Sequence, residues 1–254
     1  MIHRFVALGD SFTEGVGDSD PTAPNGVRGW ADRAAEQLAR RQPGLGYANL
    51  AIRGRLLRQV LSEQLTPALA MRPDLVTLYA GGNDLLRPRI DIDALADSYD
   101  AAVAELAATG ATVLLFTGVD GVNDPLFRRL RGRTAIYNEH VRLIAARHGA
   151  LLVDMWSMRA LRDRRLWSPD RIHLNAHGHT LIAAAVLDTL GVEHDISPRP
   201  PAPTETPPRR GQDLRWAREH AVPWLGRRLR GRSSGDGLTP KRPRLEPLAD
   251  DATL

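Results

Sequence analysis

The sequence predicts an α/β protein, a three-layer α/β/α sandwich in which helices cover both faces of a parallel sheet. Two observations lead there. Short apolar runs of strand character alternate along residues 1–191 with longer stretches whose apolar residues recur at three- and four-residue spacing. A length of 254 residues with 43% hydrophobic side chains suffices for one full α/β core plus an appendage, but is short for two enzyme domains.

Strands are expected at 5–8, 47–52, 75–80, 113–117 and 151–153, each a contiguous apolar run of the kind that a strand buried on both faces requires. Helices are expected at 30–41, 56–71, 92–108, 126–148 and 176–190, so that each strand is followed by a helix. Right-handed crossovers then make the strands parallel. Pro67 should bend or shorten the second helix. Beyond Leu190 the composition changes: residues 197–208 read SPRPPAPTETPP, which favours extended polyproline conformations and builds no core. We therefore expect a domain at 1–191, a proline-rich linker at 192–211 and a basic tail at 212–254. The tail carries a short amphipathic element with Leu214, Trp216, Val222, Trp224 and Leu225, broken near Pro223. No internal repeat of 20 to 50 residues is visible.

The composition excludes several kinds of chemistry. There is no cysteine, so neither a disulfide framework nor a thiolate metal site is available. Residues 1–15 show no basic segment followed by a long apolar run and a cleavage site, and a cytoplasmic location is expected. No apolar run approaches the roughly 20 residues that span a bilayer. Lys241 is the only lysine, so arginine supplies nearly all the positive charge; a preference this uniform reads as compositional bias rather than as a phosphate site. Residues 192–254 hold twelve basic against nine acidic side chains, too small an excess to predict a nucleic-acid or membrane partner.

Two distant positions carry the chemistry. Ser11 follows the apolar run Val6-Ala7-Leu8 and Gly9-Asp10, which presents its hydroxyl at the carboxyl end of the first strand, where open α/β sheets do their chemistry. His173 comes three residues after Asp170, close enough for one turn to set the carboxylate against the imidazole. A serine hydroxyl is a poor nucleophile unless a base takes its proton, and an acid that orients the base completes the set. An isolated Asp-x-x-His would read as a turn former beside a polar helix-flanking residue, and Gly-Gly-Asn-Asp as turn punctuation.

Gly9-Asp10-Ser11-Phe12, residues 49–54, Gly81-Gly82-Asn83-Asp84 and residues 170–173 follow one another in this order. With these four blocks the chain resembles the SGNH (GDSL-type) hydrolases, a family of serine esterases and lipases, over roughly residues 2–191. Phe12 stands where the family's nominal motif has leucine, at a position that supplies packing. The resemblance implies a flavodoxin-like five-stranded sheet in the order 2-1-3-4-5 and cleavage of small-molecule carboxylic esters through an acyl-enzyme on Ser11. It makes His173 the base and Asp170 its orienting acid. It also implies an oxyanion hole built from the backbone N–H groups of Ser11 and Gly54 and the side-chain amide of Asn83, with no cofactor and no metal. The same family includes acyl carriers and sugar deacetylases, so an O-acyltransferase using the same site stays open. So does a binding protein in which the fold is non-catalytic and the basic tail makes the contacts.

Other patterns compete with this reading. Residues 231–235, GRSSG, fit the G-x-S-x-G nucleophile elbow, but no strand precedes them and no histidine follows. His173, His177 and His179 suggest a metal cluster, yet only Asp170 stands at ligand spacing, and Asn175 more simply starts the last helix. Arg128, Arg129, Arg131 and Arg133 fit either an anion-binding patch or a solvated helix face.

Overall fold

The central strands are apolar at consecutive positions because both of their faces are covered. In β1 (Arg4–Gly9), Val6 and Leu8 point into one core while Phe5 and Ala7 point into the other, and all four are fully buried. The structure is a computed structural model that describes residues 1–199 and 233–248. Parallel to β1 run β2 (Gly46–Asn49), β3 (Leu75–Tyr79), β4 (Thr112–Phe116) and β5 (Leu151–Val153).

Eight α-helices are described: α1 (Ser11–Glu14), α2 (Gly29–Arg41), α3 (Leu57–Val60), α4 (Thr66–Ala70), α5 (Gly82–Leu85), α6 (Ile92–Ala108), α7 (Pro125–His148) and α8 (Ala176–Thr189). One face of the sheet packs on apolar residues of α3, α6 and α7, among them Leu57, Val103, Leu106 and Val141. The other packs on α2 and α8 through Trp30, Ala34, Ile182 and Val186. This is the three-layer sandwich expected from the sequence.

The sheet order is β5-β4-β3-β1-β2-β6, which contains the expected 2-1-3-4-5 arrangement and extends it. The sixth strand, β6 (Arg242–Pro247), pairs antiparallel with β2. The five expected parallel strands are all present, and β6, drawn from the stretch expected as a tail at 212–254, adds a sixth. The segment RPRLEP is exposed at Pro243, Arg244, Glu246 and Pro247 and half-buried only at Arg242 and Leu245, and its two prolines suit an edge strand, so it lacks the apolar run by which the central strands were read. The amphipathic element expected near Trp216 and Trp224 lies outside the described residues.

Two further departures are local. The second strand ends at Asn49, short of the expected Ile52; beyond it Leu50 and Ile52 N–H still donate to the Ala7 and Gly9 carbonyls, while Asn49 Oδ1 accepts from Ala51 N–H at 3.1 Å and Nδ2 donates to the Thr13 carbonyl at 2.9 Å. The helix expected at 56–71 runs as α3, a π turn at Leu61–Leu65, and α4, with Pro67 two residues after the π turn. Among the described residues no helix is long and apolar enough to cross a membrane.

Candidate active site

The strand order reverses between β1 and β3, and the carboxyl ends of the strands there open on a crevice. Ser11 is the first residue of α1, which follows β1 after a single capping residue. Asp10 caps that turn through Oδ1, which accepts from Phe12 N–H at 3.1 Å. Phe12 turns inward against Tyr79, Phe116 and Trp30, with ring centroids 4.6, 5.5 and 5.6 Å away. The aromatic contact anchors the turn while its first residue faces the crevice.

His173 arrives on the loop after β5. Its Nε2 lies 3.0 Å from Ser11 Oγ and its Nδ1 lies 2.5 Å from Asp170 Oδ2. Asp170 Oδ1 accepts from the Ser168 hydroxyl at 2.5 Å and from the N–H groups of Ile172 and His173 at 2.9 and 3.0 Å. Between them Arg171 takes a left-handed φ of 62°, a conformation a side chain adopts at local cost. Burial pushes the Asp170 carboxyl up, but the hydrogen bonds from His173 and Ser168 and the charge of His173 outweigh burial and hold it well below the usual carboxylate range. An ionised Asp170 fixes the tautomer, so that Nδ1–H donates to it and Nε2 is left to accept the serine proton.

Asn83, in α5 just after β3, lines the same cavity as Ser11 and His173. Its Nδ2 donates to Asp10 Oδ2 at 3.1 Å and to the Arg55 carbonyl at 3.0 Å. Gly54 has a left-handed φ of 76°, and a Cβ there would sit 2.2 Å from Ser233 Oγ. It is not among the residues lining that cavity, and it connects to the site through the neighbouring Arg55 carbonyl and Asn83.

The sequence of the GDSL-like lipase/acylhydrolase family matches residues 7–181, well over half of the chain. The chain belongs to this family. No curated protein matches it at a significant level. Among solved structures it is similar to LAE5, an alpha/beta hydrolase enzyme from the metagenome of Lake Arreo, Spain, with a TM-score of 0.62, 25% identity, and coverage of 74% of this chain and 95% of that one. It shares its fold with Axe2, an acetylxylan esterase from Geobacillus stearothermophilus, with a TM-score of 0.60, 23% identity, and coverage of 75% and 95%. A further structure, a catalytic mutant of Axe2 in which a serine is replaced by alanine, superposes with a TM-score of 0.61 at 22% identity, covering 75% and 95%.

In this GDSL-family chain a second, larger cavity adjoins the one that holds Ser11 and shares Tyr79, Leu86, Phe127, Trp167 and Ile172 with it. Leu85, Leu130 and Leu161 extend its apolar wall. Both carboxylates in its lining are paired: Asp120 accepts from Arg162 at 2.8 Å and from Arg131, outside the lining, at 2.6 Å, and Asp124 accepts from Arg164 at 2.9 Å. The arginine run on α7 therefore forms no common anion patch. Arg131 serves Asp120 and stacks on Trp156, Arg133 donates to the carbonyls of Leu85 at the end of α5 and of Arg87 and Pro88 beyond it, and Arg128 and Arg129 are exposed.

The histidine run is divided in the same way. His179 is fully buried; its Nδ1 accepts from Trp30 N–H and its Nε2 donates to the Val16 carbonyl, both at 3.2 Å, while burial pushes its pKa down to about 4. It is a neutral packing residue. Asn175 caps α8 by accepting from the N–H groups of His177 and Gly178. Among the described residues no group of three His, Cys, Asp or Glu side chains is placed to hold a metal ion.

Three side chains that organise the site went unread in the sequence. Gln64, on the π turn, accepts from Gly9 N–H at 2.8 Å and donates to Gly9 O at 2.9 Å, gripping the end of β1. Glu14, without exposed surface, accepts from Arg53 N–H at 2.7 Å and from its guanidinium at 2.6 Å. Lys241 reaches the far side of α1. The one available signal was Lys241 itself, a single lysine in a chain that otherwise uses arginine.

Proposed function

We propose that this family member cleaves carboxylic esters as a serine hydrolase, with Ser11 as nucleophile, His173 as general base and acid, and Asp170 as the acid that orients the imidazole. The observation that carries the reading is the unbroken chain from Asp170 Oδ2 through the His173 ring to Ser11 Oγ, at 2.5 and 3.0 Å. Nε2 takes the hydroxyl proton as Oγ attacks the ester carbonyl, and Asp170 stabilises the imidazolium. His173 then returns the proton to the departing alcohol, leaving an acyl-enzyme. Water, deprotonated by the same nitrogen, releases the acid.

The oxyanion formed at each addition needs donors aimed at it, each worth on the order of 10² to 10³ in rate. We assign this role to the N–H groups of Ser11 and Gly54 and to the Asn83 amide, one of whose two hydrogens turns to the oxyanion from its present acceptor, Asp10 or the Arg55 carbonyl. The apolar cavity beside Ser11 suits the acyl group of an ester with an aliphatic or aromatic acid. That catalytic mutants of Axe2 replace a serine, a histidine and an aspartate supports the choice of residue types.

Labelling by a fluorophosphonate with peptide mapping tests the reading, together with turnover of a small activated ester. Modification should fall on Ser11, and Ser11→Ala should lower kcat by about 10⁴-fold or more while the protein stays folded. A Ser11→Ala protein with near-normal turnover would end it.

A further inference from the structure

Residues 233–248 meet the two turns that flank the site, and they do so with polar groups that have little reason to be buried. The Lys241 side chain has no exposed surface. Its ammonium donates to Glu14 O and Arg28 O, each at 2.6 Å, to Val27 O at 3.3 Å and to a carboxylate oxygen of Asp32. All four partners are acceptors, so the group sits in this cage as a cation; burial lowers its pKa, and the Asp32 charge opposes that. Glu14 O is the last carbonyl of α1, a helix of four residues that begins at Ser11. At about 1.5 Å of rise per residue, a shift at one end of so short a turn is a shift at the other.

The same segment holds the second turn. Ser233 Oγ donates to Arg53 O at 3.1 Å, Gly235 N–H donates to Ser233 Oγ at 3.0 Å, and Asp236 pairs with Arg55 at 3.2 Å. Gly54 lies between those two arginines, and Arg55 O receives the Asn83 amide at 3.0 Å. Glu14 closes the circuit, since its carboxylate holds Arg53 while its carbonyl is held by Lys241. A buried ion pair is weak as a stabilising device, because well-packed apolar side chains of similar volume often do as well. What a caged ammonium supplies that a leucine does not is direction.

We propose that residues 233–248 act as a brace that fixes the Ser11 turn and the Gly54 turn relative to one another, with Lys241 and Ser233 as positioning residues for the reaction at Ser11. The inference rests on the serine mechanism proposed above. It makes the C-terminal segment part of the catalytic unit, although none of its side chains lines the cavity that holds Ser11 and His173.

The test uses the full chain and measures kcat and KM for a small activated ester and the rate at which a fluorophosphonate modifies Ser11, each well below the variant's own melting temperature. Three variants are compared with the parent. Asp32→Asn with Lys241→Met removes both members of the buried pair, so that neither is left charged without the other, and leaves Arg242, a partly exposed cation 3.7 Å from Asp32, to the solvent. Ser233→Ala removes the hydroxyl that holds Arg53 O, and Ser233→Thr restores a hydroxyl there. The brace predicts that the double variant and Ser233→Ala lose at least tenfold and about threefold in kcat, with parallel losses in phosphonylation rate, KM within twofold, and recovery in Ser233→Thr. Folded variants with kcat and phosphonylation within twofold of the parent would overturn it and leave the segment a packing element. If the double variant does not fold, the Ser233 pair decides alone. A parent chain that is not modified at Ser11 defeats the serine mechanism and the brace with it, whereas a labelled parent with unaffected variants defeats the brace only.

Discussion

Two carboxyl groups beside Ser11 are driven in opposite directions, and each ties stability to pH with its own sign. Asp170 is held below the usual range, so its contribution is present above the unfolded pKa of about 3.9 and is lost as the pH falls. Asp10 is the reverse case: burial raises it to about 7 against the opposing Phe12 N–H and His173 charge. Between about pH 4 and 7 the folded chain holds a proton on Asp10 that the unfolded chain has released, so stability declines as pH rises through that window. The full effect is on the order of 4 kcal/mol. Asp10→Asn should therefore flatten the dependence of the melting temperature on pH between 5 and 8 and raise it at pH 8. The gain should fall short of the full effect, because an amide facing Asn83 Nδ2 opposes a donor to a donor. Thermal melts across pH 4 to 9 check this; parallel profiles for parent and variant would show that Asp10 does not titrate there. Positions that lie in contiguous blocks and that the fold brings together were legible in the sequence, as Ser11, Asp170, His173 and Asn83 were. Glu14, Gln64 and Lys241 were not, because their partners are set by the fold: Lys241 and the Glu14 carbonyl are 227 residues apart.

At the level of elements, the strands and long helices were legible because their burial is continuous or periodic. The divisions inside the 56–71 helix were not. The π turn at Leu61–Leu65 leaves no mark in the apolar period, yet it is the turn that carries Gln64 to Gly9. Nor was the second cavity legible, since its wall joins the end of β3, the loop after β4, α7 and the loop before α8. If that cavity takes the acyl group, its depth sets the preferred chain length. Leu130 lies in its wall, and Leu130→Trp should shorten the space. Across a series of p-nitrophenyl esters from acetate to octanoate, we expect kcat/KM of the longest to drop about tenfold while acetate changes less than threefold. An equal loss at every length would place the acyl group elsewhere.

At the scale of the whole molecule the sheet is closed on one side by chain from the far end of the sequence. The composition change after Leu190 led to an expected boundary at 191, and β6 beyond it gave no sign of itself for a physical reason: one edge strand with prolines and arginines needs no apolar run when few of its positions meet the core. A chain ending at Ile196 loses β6, bares the edge of β2 and leaves buried Asp32 without Lys241. A buried carboxylate stripped of its partner costs about 3 to 5 kcal/mol. The shortened chain should melt roughly 10 °C lower by calorimetry. Equal melting temperatures would mean that β6 contributes nothing to the fold.

The burial of Lys241 has a practical corollary. Because it is the only lysine, amine-directed reagents find no lysine side chain on the folded surface. Modification at position 241 by an N-hydroxysuccinimide ester can proceed only when the C-terminal segment lifts away or the chain unfolds. One peptide in a digest thus becomes a clock for that opening, read without any engineered probe, and its rate against denaturant separates local detachment of the segment from global unfolding.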